Sequence, residues 1–353
     1  MQLNEFYNRF FSDTVAGSSN QVLSEFESEK TFTGKIAYRL RGGGEYYSLL
    51  YSNIVDSTYD AGQISKANDL GNKWVINSLE IGVSDSLESK PQKFTALTFD
   101  GESTKTVSGN MTFCTDPVKL SACGGDYLHI KMNFTGSRFP YHREIVLNTD
   151  IVDQNGIKQE FSYMPVPQMI GSDREIENTV AFIGDSITQG CGTPFESYTH
   201  WVAKIAESLP LKTAVWDLGI GFAHGFDAAT DGAWLYRAKM CREVNVCFGV
   251  NDIGYGRSFE QITVDLNTII DKLKAAGCKV TLFTVPAFDY TGEKEKIRRK
   301  VNEYIKETLC KKVYRVFDMA KATGKEAPND NMARFGGHPN SEGCEYIAQK
   351  YLE

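Results

Sequence analysis

The residues of this chain best suited to chemistry lie in Ala181-Phe182-Ile183-Gly184-Asp185-Ser186-Ile187-Thr188-Gln189-Gly190. The apolar run over 180–183 predicts a short buried strand. It stops at Gly184-Asp185-Ser186, where the chain must turn, and an amphipathic helix is expected after Gly192 and Pro194. A serine between a buried parallel strand and a helix sits at the carboxyl edge of the sheet, where open α/β folds place their sites. There its hydroxyl can face a cleft and its backbone N–H a developing oxyanion. A serine needs a base within hydrogen-bond reach, and histidine titrates in the right range. Two further blocks stand at comparable places: Gly249-Val250-Asn251-Asp252 after an apolar run, and Gly337-His338-Pro339-Asn340 before the last predicted helix. Taken singly, each block also reads as an ordinary turn.

Taken together, in this order and placement, the blocks resemble those of the GDSL, or SGNH, hydrolases. Gly184-Asp185-Ser186-Ile187 is similar to the family's nucleophile block. The resemblance implies that Ser186 is the nucleophile, that the Asn251 amide donates to the oxyanion, and that His338 is the catalytic base. Of the five histidines, His129 and His142 fall in the other half of the chain and His200 on a helix, leaving His224 as the rival. The loop Asp217-Leu218-Gly219-Ile220-Gly221-Phe222-Ala223 matches the place where the family draws a main-chain N–H, usually from glycine. Aligning on Asp217 puts Phe222 there, aligning on glycine puts Gly221 there, and Gly221 is taken. The expected oxyanion donors are therefore Ser186, Gly221 and Asn251.

The chain departs from the family at one position. An aspartate usually stands three residues before the histidine to orient it, and this chain has Phe335. A backbone carbonyl could orient the ring, as in the Ser–His dyads of some carbohydrate esterases of the superfamily. Asp330 or another carboxylate could reach in from Asn329-Asp330-Asn331. Activity could also be reduced or lost. The first explanation is preferred.

These residues need a scaffold. From residue 180 onward, apolar strands alternate with helical patterns, which predicts a parallel sheet covered on both faces. Strands are expected over 180–183, 212–220, 244–250, 279–285 and 313–319. Helices are expected over 195–209, from Ser258 with Gln261 as a capping box, over 291–309 and over 341–352. Five strands with intervening helices fit a flavodoxin-like three-layer fold, which is also the SGNH fold. The first half reads instead as short alternating strands, with Asp100-Gly101 as a hairpin signal. An antiparallel β-sandwich, jelly-roll in form, is expected. It resembles the sandwich that precedes the hydrolase domain in some two-domain SGNH esterases. The boundary is set near 170, giving domains 1–170 and 171–353. Tyr46, Tyr47, Tyr51, Trp74 and Tyr127 are candidate sugar-stacking residues of the first domain, although most aromatics in a sandwich are core.

Composition narrows the function classes. A net charge of −7 over 353 residues, with no basic stripe, argues against a nucleic-acid partner. No stretch approaches the ~20 apolar residues of a membrane helix, and the N-terminus lacks a secretory pattern, so a cytoplasmic protein is expected, or a secreted one if a leader has been trimmed. The glycosylation patterns Asn110-Met111-Thr112 and Asn133-Phe134-Thr135 would matter only in a secreted protein. The eight cysteines are expected as free buried thiols, and no zinc spacing occurs among them. The expected activity is a cofactor-free, metal-free serine esterase. It would remove short acyl groups, acetyl above all, from a small-molecule or oligosaccharide ester, with homo-oligomerisation left open. The alternatives are a lipase or thioesterase on longer chains, and a non-catalytic carbohydrate-binding protein on a decayed hydrolase scaffold.

Overall fold

The computed structural model describes residues 1–55, 73–160, 162–230, 233–323, 333–334 and 337–353. Two compact units emerge. The first takes Met1–Val55, most residues up to Glu177, and Pro210–Trp216; the second takes Asn178–Leu209 and Asp217–Glu353.

The first unit carries two larger antiparallel sheets in a sandwich-like arrangement, and a two-stranded one of Val22–Leu23 and Pro140–Tyr141. One has the order Thr149–Asp153, Lys30–Arg39, Tyr127–Gly136, Trp74–Ser84, Thr95–Ala96, with Lys105–Val107 also paired to Trp74–Ser84. The other has the order Met169–Ser172, Gly44–Ser52, Thr112–Cys114, with Val118–Ala122 also on Gly44–Ser52. Lys30–Arg39 and Tyr127–Gly136 pair residue for residue along their whole length. Strict alternation puts Leu128, Ile130, Met132 and Phe134 in the core, because successive side chains of a strand point to opposite faces. The Asp100-Gly101 turn forms as expected. Both residues have positive φ (54° and 88°), and Phe99 and Glu102 exchange main-chain hydrogen bonds across it.

Three of the candidate stacking residues belong to this core. Tyr47, Tyr51 and Trp74 are at most 1% exposed. Tyr51 stacks on Phe113, and the Trp74 indole N–H donates to Asn53 Oδ1 at 2.9 Å. Burying these rings stabilises the sheets more than displaying them would. Tyr46 remains exposed and Tyr127 half-buried. Met169–Ser172, which spans the boundary expected near 170, is a strand.

The second half of the chain is built on a five-stranded sheet: β1 (Asn178–Gly184), β2 (Thr213–Gly219), β3 (Glu243–Cys247), β4 (Lys279–Phe283) and β5 (Arg315–Phe317), in the order β2-β1-β3-β4-β5. The pairs β1–β3, β3–β4 and β4–β5 are parallel. The helices are α1 (Ser186–Gln189), α2 (Trp201–Ser208), α3 (Gly225–Ala229), α4 (Ala233–Ala238), α5 (Val250–Gly254), α6 (Phe259–Ala275), α7 (Gly292–Glu307) and α8 (Ser341–Leu352). The strand order is that of the flavodoxin-like fold. Ala181, Phe182, Ile183, Val244, Val246, Val280 and Leu282 are all buried, as a sheet covered on both faces requires. The Ser258–Gln261 capping box closes reciprocally at the start of α6. Helix α2 begins at Trp201 rather than Phe195. Glu196 and Tyr198 hold left-handed backbone, φ 57° and 52°, which a right-handed helix excludes. All eight cysteines are free thiols, but only five are buried as expected: Cys191 and Cys310 are half-buried and Cys123 is exposed. Among the described residues no helix is long and apolar enough to cross a membrane.

Candidate active site

Strand β1 ends at Gly184, and Asp185 caps the four-residue helix α1 by accepting the Ile187 N–H at 2.9 Å. Ser186 is thereby the first helical residue. Helix α1 is tied to the core by the Trp201 indole, which donates to the Ile187 carbonyl at 2.8 Å. The sequence signals no helix at this point, because four residues are too few to show a period. Ser186 Oγ lies 2.7 Å from His338 Nε2. His338 belongs to a two-residue strand, His338–Pro339, paired with Ala333–Arg334. It is followed by Asn340, which caps α8 by accepting the Gly343 N–H at 2.9 Å. The Phe288 ring meets the imidazole edge-on at 5.2 Å.

Asn251 reaches the same edge of the sheet from β3. Gly249 makes the turn at φ 128°, and a Cβ there would come 2.6 Å from a Val285 methyl, so only glycine fits. Asn251 then stands in the first turn of α5, and its Nδ2 donates to the Ala223 carbonyl at 3.0 Å. A carboxamide carries two N–H donors, and Ala223 takes one of them.

The loop after β2 changes one assignment. The Gly221 N–H donates to Gln189 Oε1, so it is committed to a protein partner. Phe222 is the residue with left-handed backbone, φ 63°. The alignment on Asp217 therefore falls on the left-handed residue of this loop, and Phe222 replaces Gly221 as the candidate donor.

His224, the rival base, serves the fold instead. It caps α3, its N–H donates to Asp227 Oδ2 at 2.9 Å, and its ring lies 3.4 Å from the same carboxylate. Burial pulls its pKa down, but the Asp227 hydrogen bond and the charges of Asp252, Asp227 and Asp185 outweigh this, so the net shift is upward. His200 caps α2, with Nε2 3.6 Å from buried Asp217. His129 and His142 belong to the first unit. Phe335 and Asp330, the positions weighed for the third catalytic member, lie outside the described residues.

Two buried carboxyls back the site. Burial pushes Asp185 up to about 7, the Ile187 N–H pulls it down, and Asp252 adds to the rise. Asp252 is also raised by burial, against the Gly225 N–H, His224 and Arg257. The Gly225 N–H donates to Asp252 Oδ2 at 2.9 Å.

Residues 182–346 match the model of the GDSL-like lipase/acylhydrolase family. Among solved structures, a G-D-S-L family protein from Desulfitobacterium hafniense DCB-2 is similar at 16% identity and TM-score 0.44, over 50% of this chain and 98% of that one. The acetyl xylan esterase AlAXEase is similar at 22% identity and TM-score 0.42, over 49% and 98%. A mutant of Axe2, an acetyl-xylooligosaccharide esterase from Geobacillus, is similar at 18% identity and TM-score 0.40, over 50% and 94%. No curated protein matches. The C-terminal half of this chain is a hydrolase domain of the GDSL-like lipase/acylhydrolase family, a family of carboxylic ester hydrolases.

Proposed function

We propose that the chain is a serine esterase in which Ser186 attacks the ester carbonyl and His338 takes its proton. The observation that carries this reading is the placement of Ser186 as the first residue of α1, with its Oγ 2.7 Å from His338 Nε2, within reach for general-base catalysis. As the carbonyl oxygen gains negative charge, the Ser186 N–H, the second N–H of Asn251 and the Phe222 main-chain N–H are the donors assigned to it. His338 then protonates the departing alcohol, leaving the acyl group on Ser186. A water, deprotonated by His338, attacks the acyl carbonyl, and Ser186 leaves with its proton restored.

The proposed substrate is a short acyl ester, acetyl above all, on a carbohydrate. Two exposed aromatics support it. Tyr255, 47% exposed, stands one helical turn beyond Asn251; its N–H donates to the Asn251 carbonyl and its ring lies 5.0 Å from that of His224. Residues four apart share a helix face. Phe195, 62% exposed, follows three residues after Gly192, whose backbone lies against His338. Three residues span at most about 11 Å. Among the described residues these are the exposed large apolar side chains on the loops around Ser186, Asn251 and His338, and both are aromatic. Aromatic faces suit the C–H faces of a sugar ring, whereas a long acyl chain calls for an aliphatic trough.

The test is hydrolysis of nitrophenyl acetate, butyrate and octanoate, followed by acetylated oligosaccharides. Acetate should turn over fastest, and Ser186→Ala or His338→Ala should each cost about 10⁴-fold or more in kcat. Tyr255→Ala should raise KM for the oligosaccharide and leave that for nitrophenyl acetate unchanged. Preference for octanoate would make the chain a lipase. A folded protein inert on every ester would leave the carbohydrate-binding reading.

A further inference from the structure

Gln189 closes α1, three residues after Ser186. It is 2% exposed and has no part in the mechanism above. Its Oε1 accepts the Gly221 N–H, and its Nε2 faces Cys191 Sγ at 3.6 Å. Its own N–H donates to the Asp185 carbonyl at 3.0 Å. The end of β2 presses against it so closely that a Cβ on Gly219 would sit 2.3 Å from the Gln189 nitrogen. Gln189 is thus fixed at both its main chain and its side chain.

The loop that Gln189 holds is tied along its length. Gly221 is bound by Gln189 of the nucleophile's own helix, and the Ala223 carbonyl by Asn251. The His224 N–H goes to Asp227 and the Gly225 N–H to Asp252. Between the first two ties sits Phe222, left-handed at φ 63°. That backbone is uphill for a residue with a Cβ by about 1–2 kcal/mol, and it persists only where the surroundings over-determine it. The two residues that bracket Phe222 are bound by side-chain carboxamides, one from α1 and one from α5.

We propose that Gln189 is a positioning residue for ester hydrolysis: by accepting the Gly221 N–H it sets the Phe222 peptide at a fixed offset from Ser186, so that nucleophile and loop donor are built on one rigid unit. This rests on the esterase reading of Ser186 and Phe222. An oxyanion donor acts only as charge develops. A loop that loses its tether therefore weakens the transition state and leaves substrate binding alone.

The experiment compares Gln189→Met, similar in length but without an acceptor, with Gln189→Glu, which keeps an oxygen at the same reach. Nitrophenyl acetate is the substrate and Ser186→Ala runs alongside. The expected result is a kcat lower by about 10–100-fold in Gln189→Met with KM within about twofold, and a kcat within about fivefold of wild type in Gln189→Glu. Amide hydrogen exchange on the wild type gives a second measurement that needs no variant to fold: the Gly221 amide should be protected. The proposal is overturned by a Gln189→Met kcat within threefold of wild type, by a KM that rises while kcat holds, by equal losses in the two variants, or by an unprotected Gly221 amide. Full activity in Ser186→Ala would instead overturn the esterase reading beneath it.

Discussion

Each unit of this molecule holds a serine and a histidine in contact at 2.7 Å, and the two pairs stand in different surroundings. In the second unit the partners are Ser186 Oγ and His338 Nε2. In the first they are Ser84 Oγ and His129 Nε2, diagonal neighbours on the antiparallel strands Trp74–Ser84 and Tyr127–Gly136, where Ser84 pairs with Tyr127 and His129 with Gly82. The Ser84 hydroxyl donates its hydrogen to the Ser86 carbonyl at 2.7 Å. A hydroxyl has one hydrogen, so Ser84 can only accept from His129, which acts as a clamp and not a base. Ser84 also lies at the end of a strand, and among the described residues no helix start, carboxamide or left-handed loop converges on it. A Ser–His contact alone is therefore poor evidence of a nucleophile, and the groups aimed at the reacting atoms decide.

The topology explains why those groups gather in one unit. Parallel strands send their carboxyl ends to one edge, so the turns after β1, β2 and β3 bring Ser186, Phe222 and Asn251 together. In an antiparallel sheet, neighbouring strands run in opposite directions, and consecutive loops are divided between opposite edges. The sharpest way to break the comparison is covalent labelling. A fluorophosphonate should modify Ser186 and leave Ser84 untouched. Ser186→Ala should abolish labelling and cost about 10⁴-fold or more in hydrolysis, whereas Ser84→Ala should stay within about twofold of wild type. An adduct mapped to Ser84 would end the distinction.

The sequence shows the two units unequally well, for physical reasons. Period-2 alternation in Tyr127–Gly136 and the continuous apolar run of β1 are strong signals because burial enforces them along whole strands. The capping box at Ser258 and Gln261 is readable because both partners are local. The nucleophile block, the Asn251 block and the His338 block are readable because each follows or precedes a clear element. Gln189 is not, and Phe222 is reached only by the alignment on Asp217, which the choice of glycine passed over. Gln189 acts through a partner 32 residues away in the chain, and nothing local marks it. Phe222 is the worse case, since a large side chain argues against the left-handed backbone it adopts. The aromatic strands misdirect in the other direction, because Tyr47, Tyr51 and Trp74 look the same in sequence whether they are core or platform.

Two asparagines extend the comparison at smaller cost. Asn251→Ala removes the proposed oxyanion donor and the tie to Ala223, and should lower kcat by about 10²–10³-fold, or roughly 3–4 kcal/mol, with the protein still folded. Asn53 is equally engaged, accepting from the Trp74 indole at 2.9 Å and donating to the Ser108 carbonyl at 2.6 Å. Asn53→Ala should leave the buried indole N–H unpaired and cost about 1–3 kcal/mol of stability, with kcat of the folded fraction unchanged. Steady-state kinetics and urea unfolding on both variants separate the outcomes. A kcat loss in Asn53→Ala matching that of Asn251→Ala would show that the carboxamide's place at the parallel edge is not what matters.

The smallest effect concerns the carboxyl next to the nucleophile. Asp185 ionises near 3.8 when unfolded and is pushed up to about 7 in the folded protein, chiefly by burial. Between these values the folded state binds more protons than the unfolded one. Stability is therefore full below about pH 4 and falls as pH rises toward 7. Asp185→Asn keeps an oxygen for the Ile187 N–H, and asparagine caps a helix as well as aspartate, but it takes no proton. The variant should thus escape the loss. At 1.36 kcal/mol per pKa unit, and with Asp252 sharing the titration, the stability of Asp185→Asn relative to wild type should rise by about 2 kcal/mol between about pH 5 and pH 8. Urea unfolding at the two pH values measures it. A difference that stays constant would mean that Asp185 is ionised in the fold, held by the helix start it caps, and that the parallel edge tolerates a charge behind Ser186.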